Sequence, residues 1–256
     1  MVKGLEIFRE FFRDFADNYV LIGGTACDER LTDAGLSFRA TKDLDIILIV
    51  EALKPEFVEK FWEFIKNGGY DIKQKSETER KYYRFLKPAE EEYPSQLELF
   101  ARNPDFLDLP EESRLTPIPT DEDLSSLSAI LMDDDYYSFT IKNSNIENDL
   151  HLASIETLIC LKAKAFLDLN TRKEAGETID SRNIKKHKND VIRLALTLTD
   201  EQKISLPDTI SSDMQKFIEI LENNPPDFQS IGKSIGIPKT NGEKIIKQIK
   251  TNFQIE

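Results

Sequence analysis

Cysteine, histidine and long apolar runs are all scarce in this sequence. The 256 residues include two cysteines, Cys27 and Cys160, and two histidines, His151 and His187. Such a small, scattered set excludes a disulfide scaffold and argues against a structural zinc site. No apolar run approaches the ~20 residues that span a bilayer, and the charged N-terminus is unlike a signal peptide. We therefore expect a cytoplasmic protein without a membrane partner.

Basic residues are outnumbered by acidic ones. The chain has 34 lysines and arginines against 47 aspartates and glutamates, a net charge of −13. Affinity for phosphate backbones comes from lysine and arginine, so the chain as a whole is expected to be a poor general binder of nucleic acid. Local exceptions are the Lys-His-Lys run at 186–188 and several lysines in the last 25 residues.

Hydrophobic periodicity predicts a mixed N-terminal half. Sixteen phenylalanines and seven tyrosines supply enough apolar volume for a sizeable core. The pattern predicts helices over 5–16, 25–31 and 55–65, and strands over 19–22, 44–50, 70–75, 81–86 and 96–101. The stretch 103–123 is rich in proline and acidic residues and is interpreted as a long surface loop, and 136–142 as a further strand.

The C-terminal half is predicted to be mainly helical. Helices are expected over 154–169, 184–196, 212–221, 228–235 and 242–253, with Ser154 as the N-cap of the first. The fold class is therefore mixed α/β, of the α+β type, with flanking helices on a mixed sheet. We expect a catalytic domain over 1–150 and a helical domain over 151–256 that completes the same cleft.

Two aspartates begin the most apolar strand. Asp43 and Asp45 lie two positions apart, so strand alternation places both side chains on one face. Two such carboxylates repel each other unless a cation joins them, and Mg²⁺ prefers carboxylate oxygens. An isolated pair of this kind is usually a solvated strand end, so a second feature must support a metal site.

A glycine turn supplies that second feature. Gly23-Gly24-Thr25 follows one strand and precedes a predicted helix. Backbone N–H groups at such a turn can approach a phosphate closely, and a helix N-terminus favours an anion. A strand, a Gly-Gly-Thr turn, a helix and then the Asp43–Asp45 pair together indicate phosphate donors and metal ligands on neighbouring strands.

Residues 21–50 resemble the polymerase-β-like nucleotidyltransferase superfamily. Its motifs are h-G-[GS], then D-h-[DE]-h (h, apolar), then a third carboxylate on a later strand. Within it the stretch is most similar to the AbiEii-type family, the toxin side of abortive-infection and toxin–antitoxin systems. Gly23 to Ala26 match that family's G-G-T-A, and Arg39 to Asp45 match its R-x-[ST]-x-D-h-D. The resemblance is sharpest over these 25 or so residues.

The resemblance implies a third carboxylate on a strand between apolar neighbours. Glu98 meets this description between Leu97 and Leu99. The alternative for Glu98 is an exposed residue on an edge strand. Glu92 and Asp105 flank the strand and are weaker candidates for the third ligand.

Two charged residues of the helical half match further family motifs. Lys162 falls on an apolar stripe three residues before Ala165, where the family places a lysine on the nucleotide phosphates. A lysine at the edge of a core can also extend its amine to water. Asp190 matches the family's last motif and is expected to face the cleft, although the same run can be a charged helix face. His187 is interpreted as a surface or supporting residue and His151 as structural.

The chemistry implied by the resemblance is transfer of a nucleoside monophosphate from a nucleoside triphosphate, ATP among them, to an acceptor hydroxyl. Catalysis and binding of Mg²⁺ or Mn²⁺ are assigned to Asp43, Asp45 and Glu98. Nucleotide binding is assigned to Gly23, Gly24, Thr25, Arg39, Thr41, Lys162 and Asp190. The acceptor is RNA, a protein or a small molecule, and the toxin resemblance implies an antitoxin as a further partner.

Three interpretations stay open at this point. They are an active toxin-type enzyme, an antibiotic-type transferase that modifies small molecules, and a catalytically inactive nucleotide-binding module. An RNA acceptor is expected to bind a basic patch formed by Lys185, Lys186, Lys188 and Arg193. The apolar spacing over 231–253 is typical of a small helix–turn–helix. We interpret this segment as a cap that packs on the helical half and not as a DNA-binding unit.

Overall fold

Glycine turns, buried aromatic stripes and helix caps organise this chain into a mixed α+β fold, as the sequence predicts. The computed structural model describes residues 2–72, 82–100, 130 and 133–255. The predicted loop over 103–123, and with it Asp105, lies outside these residues. Within the described ranges, no helix combines the length and apolar character needed to cross a membrane.

Nine α-helices and seven strands are found in the described residues. The helices are α1 (Leu5–Phe12), α2 (Gly23–Asp33), α3 (Pro55–Asn67), α4 (Asp134–Lys142), α5 (Ile155–Glu174), α6 (Ser181–Ala195), α7 (Asp208–Asn223), α8 (Phe228–Ser234) and α9 (Gly242–Phe253). The strands are β1 (Tyr19–Ile22), β2 (Asp43–Leu48), β3 (Asp71–Ile72), β4 (Tyr82–Leu86), β5 (Gln96–Phe100), β6 (Ser144–Glu147) and β7 (Leu150–Ala153). Short 3₁₀ turns at Arg13–Asn18 and Val50–Ala52 flank the first two strands.

The strands form one mixed sheet in the order β3-β4-β5-β2-β1-β7-β6. Strand β2 lies near its centre, antiparallel to β1 and parallel to β5. Strand β4 is antiparallel to β5 on the side away from β2. This order places β2 and β5, the two strands that carry the predicted carboxylates, next to each other.

The chain divides into two compact units. Of the described residues, 2–28, 40–72, 82–100 and 144–153 form the sheet unit, and 29–39, 130, 133–143 and 154–255 form the helical unit. The predicted domains over 1–150 and 151–256 remain predictions.

Aromatic side chains from α1, α3 and β1 fill the core of the sheet unit. Phe8, Phe12 and Phe64 are buried, and the rings of Phe8 and Phe12 lie 4.6 Å apart between centroids. Phe8 also meets Tyr19 edge to face at 5.3 Å. Their spacing along α1 and α3 puts these rings on the helix faces that meet the sheet, which holds β1 and its glycine turn in place.

Helix α5 is the central helix of the helical unit. Its N-cap is Ser154, as predicted, and the Ser154 hydroxyl accepts a hydrogen bond from the Thr157 backbone N–H at 3.2 Å. Helix α6 begins after Asp180, whose carboxylate caps it by accepting from the Arg182 N–H. The two caps fix the starts of the helices that carry Lys162 and Asp190.

The prediction of a strand over 136–142 is wrong, because this segment is helix α4. Asp133 caps the helix by accepting from the backbone N–H groups of Asp135 and Tyr136. The buried positions of α4 are 136, 137, 139 and 140, which is a helical and not an alternating pattern. The cap and the burial of one helical face outweigh the β-propensity of the aromatic and β-branched residues.

A β-hairpin over 144–153 was not predicted. Its two-residue turn, Asn148-Asp149, has positive φ angles of 49° and 62°, which match a type I′ hairpin turn. The ring of His151 lies between the Ser144 side chain, at 2.8 Å, and the Ala16 carbonyl, at 3.0 Å. His151 thus joins the two hairpin strands to the turn before β1.

Candidate functional site

The two aspartates of β2 share one face of the sheet. Asp43 and Asp45 are partly exposed, whereas Leu44 between them is buried. Strands β2 and β5 are parallel with Asp45 opposite Glu98. Residues opposite each other on adjacent strands point to the same face, so Asp43, Asp45 and Glu98 form one set, here called the carboxylate cluster.

Gly23 lies directly against the carboxylate of Asp45. The β1–β2 hairpin pairs Ile22 with Asp45, and the next residue, Gly23, begins α2 with a φ angle of +65°. A Cβ at position 23 would lie 1.6 Å from Asp45 Oδ2. Only glycine therefore allows the start of α2 to meet the carboxylate cluster.

The rest of the glycine turn is equally close-packed. A Cβ at Gly24 would lie 2.4 Å from Thr41 Oγ1. The Thr25 hydroxyl donates to the Asp43 carbonyl at 2.7 Å, which ties α2 to the start of β2. The first N–H groups of a helix lack intrahelical acceptors, so the first turn of α2 offers donors beside the carboxylates.

Glu98 is the most buried member of the cluster, with 7% of its surface exposed. Its Oε1 accepts from Arg84 Nε at 2.9 Å and from Gln96 Nε2 at 2.5 Å. Burial, followed by the charge of Asp45, raises the pKa of Glu98 to about 8, against the opposing effect of Arg84. Glu98 and Asp45 are thus two carboxyl groups in contact that cannot readily be charged together.

The donor chemistry of this cluster partly fits a divalent cation. Asp45 and Glu98 interact closely, and a cation would relieve their repulsion. Asp43 adds a third carboxylate on the same face. In the described conformation, however, no three His, Cys, Asp or Glu side chains among the described residues are arranged to hold a metal ion. Arg84 already neutralises part of the charge on Glu98.

A second set of charged residues lies in the helical unit. Arg39 donates to Asp190 through Nε, at 3.2 Å to each oxygen, and through a terminal nitrogen, at 2.9 Å to Oδ2. Arg193, one turn further along α6, donates to Asp190 Oδ1 at 2.8 Å. With Lys162, which acts electrostatically on Asp190, these residues form the Asp190 cluster.

The Asp190 cluster surrounds one carboxylate with three cations. The Asp190 side chain has no exposed surface, and that of Arg39 is 26% exposed. Burial alone would raise the pKa of Asp190, but Lys162, Arg39 and Arg193 outweigh it and lower this pKa. The three cations therefore hold Asp190 in its charged form.

The predicted site residues fall into these two sets. The sheet unit brings Asp43, Asp45, Glu98, Gly23, Gly24, Thr25 and Thr41 together, and the helical unit brings Arg39, Lys162 and Asp190 together. Glu92 lies exposed in the turn before β5. The roles assigned to all of these residues remain predictions.

Two residues at the carboxylate cluster were missed. Gln96 lies two positions before Glu98 on the same strand, so alternation alone could have indicated it. Arg84 could not be found in this way, because its pairing with Glu98 depends on the β4–β5 register. His187, interpreted as a surface or supporting residue, is buried.

No protein-family model matches this chain, and a search of curated proteins finds no match. The functional evidence therefore consists of the carboxylate cluster with its glycine turn and of the Asp190 cluster. Each contains charged groups placed in or near the protein interior, where an unpaired charge is costly.

Proposed function

We propose that this protein is a metal-dependent nucleotidyltransferase. The observation that carries the proposal is the set of three carboxylates, Asp43, Asp45 and Glu98, on one face of two parallel strands. The start of α2 lies against this set through Gly23. Anionic metal ligands beside the N-terminus of a helix form an arrangement suited to a triphosphate with its cation.

The proposed reaction forms one bond and breaks one bond at phosphorus. The oxygen of an acceptor hydroxyl bonds to the α-phosphorus while the bond to the bridging oxygen breaks and pyrophosphate leaves. Asp43, Asp45 and Glu98 hold Mg²⁺ or Mn²⁺, which supplies charge neutralisation at the phosphates when bound. Glu98 or a neighbouring aspartate accepts the hydroxyl proton.

The backbone N–H groups of Gly23, Gly24 and Thr25 bind phosphate oxygens in this proposal. The sequence resemblance assigns to Arg39 and Lys162 the neutralisation of charge on pyrophosphate. The acceptor is an RNA, a protein or a small molecule, and the sequence resemblance favours a toxin-type enzyme with an antitoxin partner. A small-molecule acceptor corresponds to the antibiotic-type alternative.

A catalytically inactive nucleotide-binding module is the second candidate. It is favoured by one observation, the ion pair between Arg84 and Glu98 at 2.8 Å. A guanidinium in this place gives Glu98 a partner without a metal ion. The glycine turn would still bind a triphosphate in such a protein.

Calorimetry tests the metal-dependent part of the proposal. Each nucleoside triphosphate is titrated into the protein with Mg²⁺ or with excess chelator. We expect a magnesium-dependent binding signal in the wild type that disappears in Asp43→Asn/Asp45→Asn. The matched control is Asp14→Asn/Asp17→Asn, which removes the same charge at two exposed positions. Equal magnesium-dependent binding in both double variants would rule out the two-aspartate site.

Label transfer separates the enzyme from the inactive module. The protein is incubated with α-³²P-labelled triphosphates, Mg²⁺ and separate pools of RNA, protein and aminoglycosides. Radioactivity that becomes covalently attached to one pool identifies the acceptor class, and Asp43→Asn should abolish it. Nucleotide binding without transfer to any pool would favour the inactive module.

A further inference from the structure

The last two helices are joined by a turn built on glycine. Helix α8 ends at Ser234, and Gly236 follows with a φ angle of +92°, before α9 begins at Gly242. The Ile237 N–H bonds back to the Gly232 carbonyl at 2.8 Å, so the chain reverses directly after α8. Asn241 then caps α9 by accepting from the Lys244 N–H. The two helices resemble a helix–turn–helix whose connection, 235–241, is longer than the usual turn of about 3–4 residues.

Two further glycines set the close approach within this unit. A Cβ at Gly232 would lie 1.8 Å from Thr240 Oγ1 and 2.4 Å from the Ile237 carbonyl. A Cβ at Gly242 would lie 2.4 Å from the ring of Phe228. The turn therefore packs on α8, and the start of α9 packs on the start of α8.

One side of this helix pair is buried and apolar. Ile231 and Ile235 are buried on the first helix, and Ile245, Ile249 and Phe253 on the second. These buried residues are the regularly spaced apolar positions of the sequence, from which packing against the helical half was predicted. It leaves the opposite side of α9, which carries Lys247, facing solvent.

The exposed side is basic. From Asp227, the N-cap of α8, to residue 255 there are five lysines and two carboxylates, Asp227 and Glu243, in a chain whose net charge is −13. Four of these lysines are exposed, namely Lys233 on α8, Lys239 in the turn, and Lys244 and Lys247 on α9. None of the four forms an ion pair with a carboxylate in the part of the chain that the structure describes. Lys250 does pair, with Glu222 at 3.1 Å.

We propose that α8 and α9 bind double-stranded DNA. Helix–turn–helix proteins place their second helix in the major groove, with the first helix across the phosphate backbone. Here the second helix is α9, and the exposed lysines lie on both helices and on the turn between them. This distribution fits contact with phosphates on both sides of a groove, whereas a single-stranded partner would be bound through stacking on exposed aromatic rings.

The acidic character of the whole chain does not prevent this contact. At physiological ionic strength the Debye length is about 8 Å, so exposed charges further apart are largely screened. The sign of the local patch then decides the interaction with a nearby phosphate. The proposed DNA binding requires neither a metal ion nor nucleotide transfer and stands independently of the proposed enzyme activity.

Fluorescence anisotropy with a mixed-sequence DNA duplex of about two helical turns tests the proposal. The full chain is titrated in the presence of chelator at several salt concentrations. We expect binding in the range of sequence-independent contacts, with a Kd on the order of 10⁻⁴–10⁻⁶ M. Lys244→Ala/Lys247→Ala should weaken binding at least several-fold and flatten the salt slope by about one to two units.

Two matched variants make the result specific. Lys244→Arg/Lys247→Arg keeps the charge and should retain the binding, and Lys3→Ala/Lys66→Ala removes two exposed lysines of the sheet unit and should change neither affinity nor slope. The proposal is overturned if the wild type gives no salt-dependent signal. It is also overturned if the alanine variant on α9 binds like the wild type, or if single-stranded RNA displaces the duplex and binds more tightly.

Discussion

Arg39 and Asp190, 151 positions apart in the sequence, are joined by hydrogen bonds from two guanidinium nitrogens to one fully buried carboxylate. Arg193 occupies the other side of the same carboxylate. Both oxygens of Asp190 are therefore already bonded to protein groups. The arrangement indicates that Asp190 positions Arg39, whose guanidinium is partly exposed, and does not itself present a free oxygen to a ligand.

We expect Asp190→Asn to destabilise the protein strongly. Removal of one partner leaves Arg39, Arg193 and Lys162 without their shared counter-charge, and such losses typically cost about 3–5 kcal/mol. Urea denaturation gives the change in the free energy of unfolding. Asp200→Asn is the control, because Asp200 is exposed and its loss should cost less than about 0.5 kcal/mol. Similar small changes in both variants would contradict this account of Asp190.

Helices and strands were predicted correctly where a turn or cap residue lies directly next to a segment with regular hydrophobic spacing. Strand β1 ends directly before Gly23, and α9 starts directly after the Asn241 cap, and both elements have the predicted ends. Helix α3, predicted over 55–65, continues to Asn67 before Gly68. In each case a local signal marks the boundary, and such signals can be read from sequence.

Prediction failed where local preference and packing disagree. The run from Tyr136 to Lys142 is rich in aromatic and β-branched residues, yet it is a helix because Asp133 caps it and one helical face is buried. The hairpin turn at Asn148-Asp149 was overlooked, although both residue types tolerate positive φ. An Asn-Asp pair between two short alternating runs was the available signal.

The candidate site shows the same division. The shared face of Asp43 and Asp45 follows from strand alternation and needs no knowledge of the fold. The pairing of Arg84 with Glu98 and of Arg39 with Asp190 could not be predicted from sequence. Strand register creates the first pair and the approach of two distant segments creates the second, and no local pattern encodes either.

We expect Glu98 to make stability fall as the pH rises from about 4.5 to about 8. Burial and Asp45 raise the pKa of Glu98 from 4.5 to about 8, so the folded state binds this proton more tightly than the unfolded state. The contribution of Glu98 to the free energy of unfolding is complete below pH 4.5 and is lost as the pH rises to about 8. The free energy of unfolding falls by at most about 1.4 kcal/mol per pH unit in this range. Denaturation in chelator at several pH values measures the slope.

Glu98→Gln imitates the protonated carboxyl group and should remove most of this slope. Glu92→Gln changes an exposed glutamate nearby in the sequence and should leave the slope as in the wild type. Magnesium should restore stability to the wild type at pH 8 when the carboxylates bind it, and should not restore Asp45→Asn. Identical slopes in the Glu98 variant and the wild type would show that the carboxyl group titrates normally.

We expect Gly23→Ala to disrupt the carboxylate cluster. A left-handed backbone costs a residue with a Cβ about 1–2 kcal/mol, and the new Cβ would also lie 1.6 Å from Asp45 Oδ2. Gly35→Ala is a matched control, because Gly35 has a φ angle of +72° and a Cβ there meets nothing within 4 Å. Denaturation should show a larger decrease in the free energy of unfolding for Gly23→Ala than for Gly35→Ala. Gly23→Ala should also abolish magnesium-dependent nucleotide binding. Equal losses in the two variants would mean that the contact with Asp45 costs nothing.

A cavity beside α6 is lined by three lysines and two carboxylates. The cavity has a volume of about 900 Å³ and is lined by residues that include Lys173, Lys185 and Lys188. Lys188 donates to the Asn224 carbonyl at 3.3 Å, and burial followed by the charge of Lys185 lowers its pKa. An anion in the cavity would relieve this repulsion between neighbouring ammonium groups.

We expect the patch predicted on α6 to dominate binding of single-stranded RNA. Lys186→Ala/Lys188→Ala should weaken binding and flatten the salt slope by about one to two units, because each neutralised phosphate releases counterions. Lys244→Ala/Lys247→Ala on α9 is the control and should leave RNA binding unchanged, since that surface is proposed to bind duplex DNA. Anisotropy with a labelled RNA strand in chelator measures both variants. If the α6 variant keeps the wild-type slope while the α9 variant loses it, RNA binds the helix–turn–helix and the α6 patch is ruled out as its site.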